Sequence, residues 1–84
     1  MTEQEFLNKY GDKKVKFESY YKYSFTFVTE LDDGKTLCVY VGGHPDDIYK
    51  FSVSAGGEVT VNSLYPYSGS VYDDGTEIEM FDNY

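Results

Sequence analysis

Tyr23-Ser-Phe-Thr-Phe-Val-Thr-Glu-Leu31 alternates apolar and polar side chains, Asp32-Asp33-Gly34-Lys35 reverses the chain, and Thr36-Leu-Cys-Val-Tyr-Val41 runs back. A period of two on both sides of a short glycine-bearing turn predicts a β-hairpin, with strands over 23–31 and 36–41. The same alternation extends outward. Residues 14–21 read as a strand, with Val15, Phe17, Ser19 and Tyr21 on one face and Lys14, Lys16, Glu18 and Tyr20 on the other. No Gly or Pro separates it from the hairpin, so a bend or bulge near Tyr21-Lys22 has to divide the two.

Beyond Val41, Gly42-Gly43-His44-Pro45-Asp46-Asp47 has loop composition. Strands are predicted over 48–54 and 58–62, joined by a tight turn at Ala55-Gly56-Gly57. Odd-numbered positions carry the apolar residues throughout: Val15, Phe17, Phe25, Phe27, Leu37, Val39, Val41, Tyr49, Phe51, Val53, Val59 and Val61. Sequential antiparallel pairing buries them on one side of a meander. Leu64-Tyr65-Pro66-Tyr67-Ser68-Gly69-Ser70 reads as an irregular connection. Val71-Tyr72, Asp73-Asp74-Gly75 and a strand over 76–81 form a last short hairpin, with Ile78 and Met80 inward and Glu77 and Glu79 outward.

At the other end Thr2-Glu-Gln-Glu5 has capping-box spacing, Phe6, Leu7 and Tyr10 share one side, and Gly11 is placed to stop a helix over 3–10 in a left-handed cap. Two helical turns are unstable alone, so the helix docks through Phe6 and Tyr10. The expected fold is α+β: one domain, 1–84, with a short N-terminal helix packed on a curled antiparallel meander of five to six strands. Such a sheet is ~20–25 Å wide and the helix only ~10–12 Å across. Either the sheet curls over the helix, or residues 63–72 fold across the opening, or a second copy covers it. Curling is the expected solution.

The charge limits the partners. Fifteen acids face seven lysines, with no arginine, for a net charge of −8. Residues 1–50 hold nine acids and every lysine. Residues 51–84 hold Glu58, Asp73, Asp74, Glu77, Glu79 and Asp82 and no base. Affinity for nucleic acid or an anionic membrane needs the opposite sign, so neither is an expected partner, whereas a basic protein is. Cys38 stands alone, which excludes an intrachain disulfide, and no apolar run approaches the ~20 residues that span a bilayer. A cytoplasmic setting is expected.

Chemistry is hard to build from these residues. His44 is the one histidine, and with Asp46 and Asp47 it forms the only candidate for a small metal site. Consecutive residues on a loop rarely converge on one ion, and a solvated turn is the simpler reading. The Asp-Asp-Gly turns lack the alternate acids and distal Glu of a calcium loop. No nucleophile constellation or phosphate-cradling glycine motif occurs. No catalytic residue, cofactor or resident metal is expected.

What remains is surface. Asp73, Asp74, Glu77, Glu79 and Asp82 lie in one stretch with Tyr65, Tyr67 and Tyr72, in a chain of ten Tyr and six Phe. Outward acids on a strand fall ~6–7 Å apart, close to the phosphate spacing of a nucleic-acid strand. These eight residues are the candidate binding surface for a basic, nucleic-acid-binding partner. In size, charge and lack of catalytic residues the chain resembles the small acidic inhibitors of phages and mobile elements that act as DNA mimics against restriction or CRISPR nucleases. No motif carries that resemblance, and it assigns no residues. Val28, Cys38 and Tyr40 form a modest apolar centre on the even-numbered face of the hairpin. This is a candidate self-association face, so the alternative is a homo-oligomeric assembly module, with the chain a monomer or homodimer.

Overall fold

Thr2 starts the helix as its spacing requires. In the computed structural model, which describes residues 1–51 and 57–82 (without the side chains of 48, 50 and 51), α1 spans Glu3–Tyr10. The Glu5 N–H donates to Thr2 Oγ1 at 3.2 Å, and the Thr2 N–H donates to Glu5 Oε1 at 3.1 Å. The two bonds satisfy donors that no helical carbonyl can reach. Gly11 ends the helix differently from expectation, in the right-handed region at φ −60°. Glycine is needed there for closeness: a Cβ would collide with the Leu7 carbonyl and with the Asn62 side chain.

Six strands follow: β1 (Lys14–Tyr21), β2 (Ser24–Glu30), β3 (Thr36–Gly42), β4 (Glu58–Thr60), β5 (Ser68–Asp73) and β6 (Thr76–Phe81). They form one open antiparallel sheet in the order β4-β1-β2-β3-β5-β6. The fold is therefore α+β, with a meander-like sheet. The central hairpin pairs from Glu30↔Thr36 to Ser24↔Gly42. The divide after β1 is a two-residue turn, Lys22-Tyr23, with φ of 50° and 63°, closed by the Tyr21↔Ser24 pair. Positive φ at both positions is the hairpin turn whose twist matches the strands, though Asn-Gly is its usual sequence.

Five expectations about the strands need correction. First, Pro45–Phe51 is a 3-10 helix, so no strand begins at residue 48. Positions 52–54 of that predicted strand lie outside the described residues, as do Ala55 and Gly56 of the turn. Local bonding overrides the alternation: the Asp47 N–H donates to the His44 carbonyl at 2.9 Å, and the His44 N–H returns a bond to Asp47 Oδ2 at 3.2 Å. Pro45, with its φ already helical, suits the start of such a turn. Second, β4 stops at Thr60 and a second 3-10 helix covers Val61–Leu64. β4 pairs with β1, Val15 opposite Val59.

Third, Phe17 faces Phe27 while Ser19 faces Thr26, so Glu18 is an extra residue in β1. A one-residue bulge swaps the faces beyond it. Tyr20, not Ser19 or Tyr21, points inward, its ring 4.8 Å from that of Phe25 and its hydroxyl donating to the Gly43 carbonyl. Fourth, residues 68–70, read as part of an irregular connection, are the first half of β5, which pairs with β3. Fifth, a second bulge shifts β6 against β5 between Val71 and Tyr72. Ile78 and Met80 are consequently exposed, at 45% and 51%, whereas Phe81 is buried and Glu79 turns toward the helix.

The core lies between the sheet and two covering pieces. Val15, Phe25, Phe27, Leu37, Val39, Val59 and Val71 supply the sheet side. Phe6 and Tyr10 cover it from the helix, and Val61, Leu64 and Tyr67 cover it from the chain between β4 and β5. Phe6 is fully buried, its ring 6.0 Å from that of Tyr67 and 5.7 Å from that of Phe81. It sits directly over Gly69, where any Cβ would collide with the ring. The covering problem is thus met in part by the segment after β4.

Candidate anionic surface

Both Asp-Asp-Gly turns lie at the same end of the sheet. β3 begins where the first turn ends, β5 ends where the second begins, and the two strands are antiparallel neighbours with Thr36 opposite Tyr72. The first turn is closed by the Leu31 N–H donating to the Lys35 carbonyl at 2.7 Å and the Gly34 N–H donating to the Leu31 carbonyl at 2.9 Å. Gly34 supplies a φ of 85°. The Asp33 carboxylate accepts from the Lys35 N–H at 3.1 Å and pairs with its ammonium at 3.1 Å. Those two bonds, the backbone one first, hold the Asp33 carboxyl below its ordinary pKa. In the second turn Asp74 and Gly75 both take positive φ between the paired Asp73 and Thr76.

A cross-strand row runs just inside the turns: Glu30↔Thr36↔Tyr72↔Glu77. At ~4.8 Å per strand, its two glutamates stand ~15 Å apart. The Tyr72 hydroxyl lies 3.4 Å from both the Tyr40 hydroxyl and Glu77 Oε2. Glu30, Asp32, Asp33, Asp73, Asp74 and Glu77 are all exposed. Lys35 is beside them, its charge engaged by Asp33.

The eight candidate residues therefore divide. Asp73, Asp74, Glu77 and Tyr72 come together. Asp82 and Tyr65 lie toward the opposite end of β5, where Ser68 Oγ donates to Asp82 Oδ1 at 3.3 Å and the Tyr65 ring stands edge-on to Tyr67. Glu79 belongs to the helix contact: it accepts from Lys9 Nζ at 2.7 Å and from the Tyr10 hydroxyl at 2.6 Å. Lys9, then Tyr10, lowers its pKa. Tyr67 is a core residue, 3% exposed, and burial pushes its phenol up to about 12. Glu30, Asp32 and Asp33 were not among the candidates. The repeated Asp-Asp-Gly was the available signal, but joining its two copies needed the β3–β5 pairing.

Val28, Cys38 and Tyr40 lie together on the outer face of the central hairpin. Val28 stands opposite Cys38 on the side of the sheet away from the helix, in a row Lys16↔Val28↔Cys38↔Ser70↔Met80. Val28, Cys38 and Tyr40 are half-buried, and burial raises the Cys38 thiol pKa, which keeps it protonated and poorly nucleophilic. At the third candidate, His44 Nδ1 lies 3.4 Å from Asp46 Oδ2, both residues exposed, and Asp47 is engaged by the His44 N–H. Among the described residues no group of three or more His, Cys, Asp or Glu side chains is arranged to hold a metal ion. None of their helices is long and apolar enough to cross a membrane. No protein-family model, curated protein or solved structure matches the chain.

Proposed function

We infer that this chain is a non-enzymatic interaction protein that offers an anionic surface to a basic, nucleic-acid-binding protein, acting as an inhibitor in the cytoplasm. The observation that supports this reading is the placement of both Asp-Asp-Gly turns at one end of the sheet, with Glu30 and Glu77 at the two ends of the cross-strand row behind them. Carboxylates set on tight turns and along one cross-strand row hold a fixed spacing, which a flexible acidic tail cannot. An aromatic ring among them adds contact area at low entropic cost. The test is capture of partners from lysate at low and high salt, with wild type beside the Glu30→Lys/Glu77→Lys double variant. A basic nucleic-acid enzyme retained at low salt, released at high salt and lost by the variant supports the proposal. Retention that neither salt nor charge reversal alters overturns it.

A second reading, a homo-oligomeric assembly module, is favoured by the half-buried Val28, Cys38 and Tyr40 beside the exposed Met80. It predicts a mass that rises with concentration, is indifferent to salt and falls to that of a monomer on Tyr40→Asp.

A further inference from the structure

We propose that the outer edge of β6 accepts an extended, lysine- or arginine-bearing segment of the partner as an added strand. β6 ends the sheet, and among the described residues no strand lies beyond it. The Met80 carbonyl already takes a bond from outside the sheet, from the Met1 ammonium at 3.2 Å. In an antiparallel strand the N–H and C=O of one residue point the same way, so the Met80 N–H also faces outward. Glu77 follows by alternation: Asp73 and Thr76 close a two-residue turn and exchange bonds, which leaves the Tyr72↔Glu77 pair unbonded and the Glu77 backbone directed away from β5.

The edge is guarded only in part: β6 is bulged at Ile78, turns Glu79 toward the helix and meets Met1 at the Met80 carbonyl. β6 contains no Lys and no Pro. Ile78 and Met80 offer exposed apolar contacts. The opposite edge, β4, has only three residues. Charge selects the occupant. Asp73, Asp74 and Glu77 flank this edge, and no base follows Lys50 in the sequence. A second copy of β6 would set acid near acid, whereas a basic strand is attracted at the turn end, where Asp73, Asp74 and Glu77 lie. The inference rests on the anionic-surface reading and adds the way in which the partner binds.

Three labelled peptides test it: Lys-Val-Lys-Val-Lys-Val-Lys, the same sequence with Pro at its centre, and the form with Glu for every Lys. Loss of one or two backbone bonds should weaken binding about tenfold. The proposal expects the first peptide to bind, the proline form to bind about tenfold more weakly, and the Glu form not to bind. Met80→Pro, which removes an outward N–H and spares the β5 ladder, should cause a similar loss with an unchanged circular dichroism spectrum. In the unmutated protein, slowed amide exchange at Glu77 and Met80 on peptide addition reads the same contact without a variant. Equal binding of both basic peptides, with no change in exchange, would overturn the added strand and leave the anionic surface standing. No binding of either basic peptide would overturn both, and protection of β6 by dimerisation alone would overturn the basic occupant.

Discussion

The Tyr10 hydroxyl donates to Glu79 Oε2 at 2.6 Å and so ties the last turn of α1 to the edge strand of the sheet. Lys9 completes the contact from the exposed side, at 2.7 Å. A bond to an ionised acceptor is stronger than a neutral one. Tyr10→Phe keeps the ring and removes the bond, and should cost about 1–2 kcal/mol in urea denaturation.

The same carboxylate makes stability depend on acid. Its pKa is lowered in the folded protein by Lys9 and then Tyr10, from an ordinary value of 4.5. A lowered carboxyl pKa contributes stability that is complete above the unfolded value and is lost as pH falls through the folded one. Denaturation midpoints should therefore drop below about pH 4.5, and less steeply for Glu79→Gln. Parallel curves for the two proteins would contradict this.

Tyr67 behaves in the opposite sense. Its hydroxyl is buried without a hydrogen-bond partner among the described residues, and its pKa rises to about 12. A raised phenol pKa means that stability is lost as pH climbs from the ordinary 10 through that value. Tyr67→Phe removes an unsatisfied polar atom, so it should be neutral or slightly stabilising at pH 7. It should also flatten the alkaline loss of stability, read from melting temperatures between pH 8 and 11.

Lys22 and Tyr23 hold left-handed backbone that side chains disfavour by about 1–2 kcal/mol per residue. Replacing the pair with Asn-Gly should raise stability by about 1 kcal/mol, since this sequence suits the turn. A lower urea midpoint would show instead that the Tyr23 ring, 6.3 Å from that of His44, contributes more than the strain costs.

Gly69→Ala should destabilise by about 1–3 kcal/mol, because the new methyl group meets the Phe6 ring. Phe6→Ala should cost about 3–5 kcal/mol. Combining Gly69→Ala with Phe6→Leu should cost less than the sum of the two single changes, since the smaller side chain makes room.

Those residues also show what sequence could and could not reveal. The Thr2–Glu5 capping box, the inward Phe6 and Tyr10 and the central hairpin were legible because each depends on neighbours a few positions away. Ser68-Gly69-Ser70 has turn composition, yet it is the strand beside β3, because the Phe6 ring from the far end of the chain fills the space over Gly69. Glu18 and Ile78 break the odd-even rule by one residue each, and a bulge has no signature in an alternating pattern. His44-Pro45-Asp46-Asp47 did carry a helix-start signal, outweighed by the apolar alternation after it. The acidic site was half legible for the same reason: Asp73, Asp74 and Glu77 are local to one another, while Asp32 and Asp33 join them only through the β3–β5 pairing.

The seat of Phe6 over Gly69 has a further consequence for how the chain is made. α1 leaves the ribosome before Gly69, Tyr67 and Phe81, which enclose its anchoring ring and are translated more than sixty residues later. A two-turn helix does not persist in water on its own. Until β5 and β6 are made, Phe6 therefore lacks the rings that enclose it, and the central hairpin has only part of its cover. Closure of the core waits on contacts between α1 and the segment from Tyr67 to Phe81, and a nascent chain halted before β5 leaves Phe25, Phe27, Leu37 and Val39 incompletely covered.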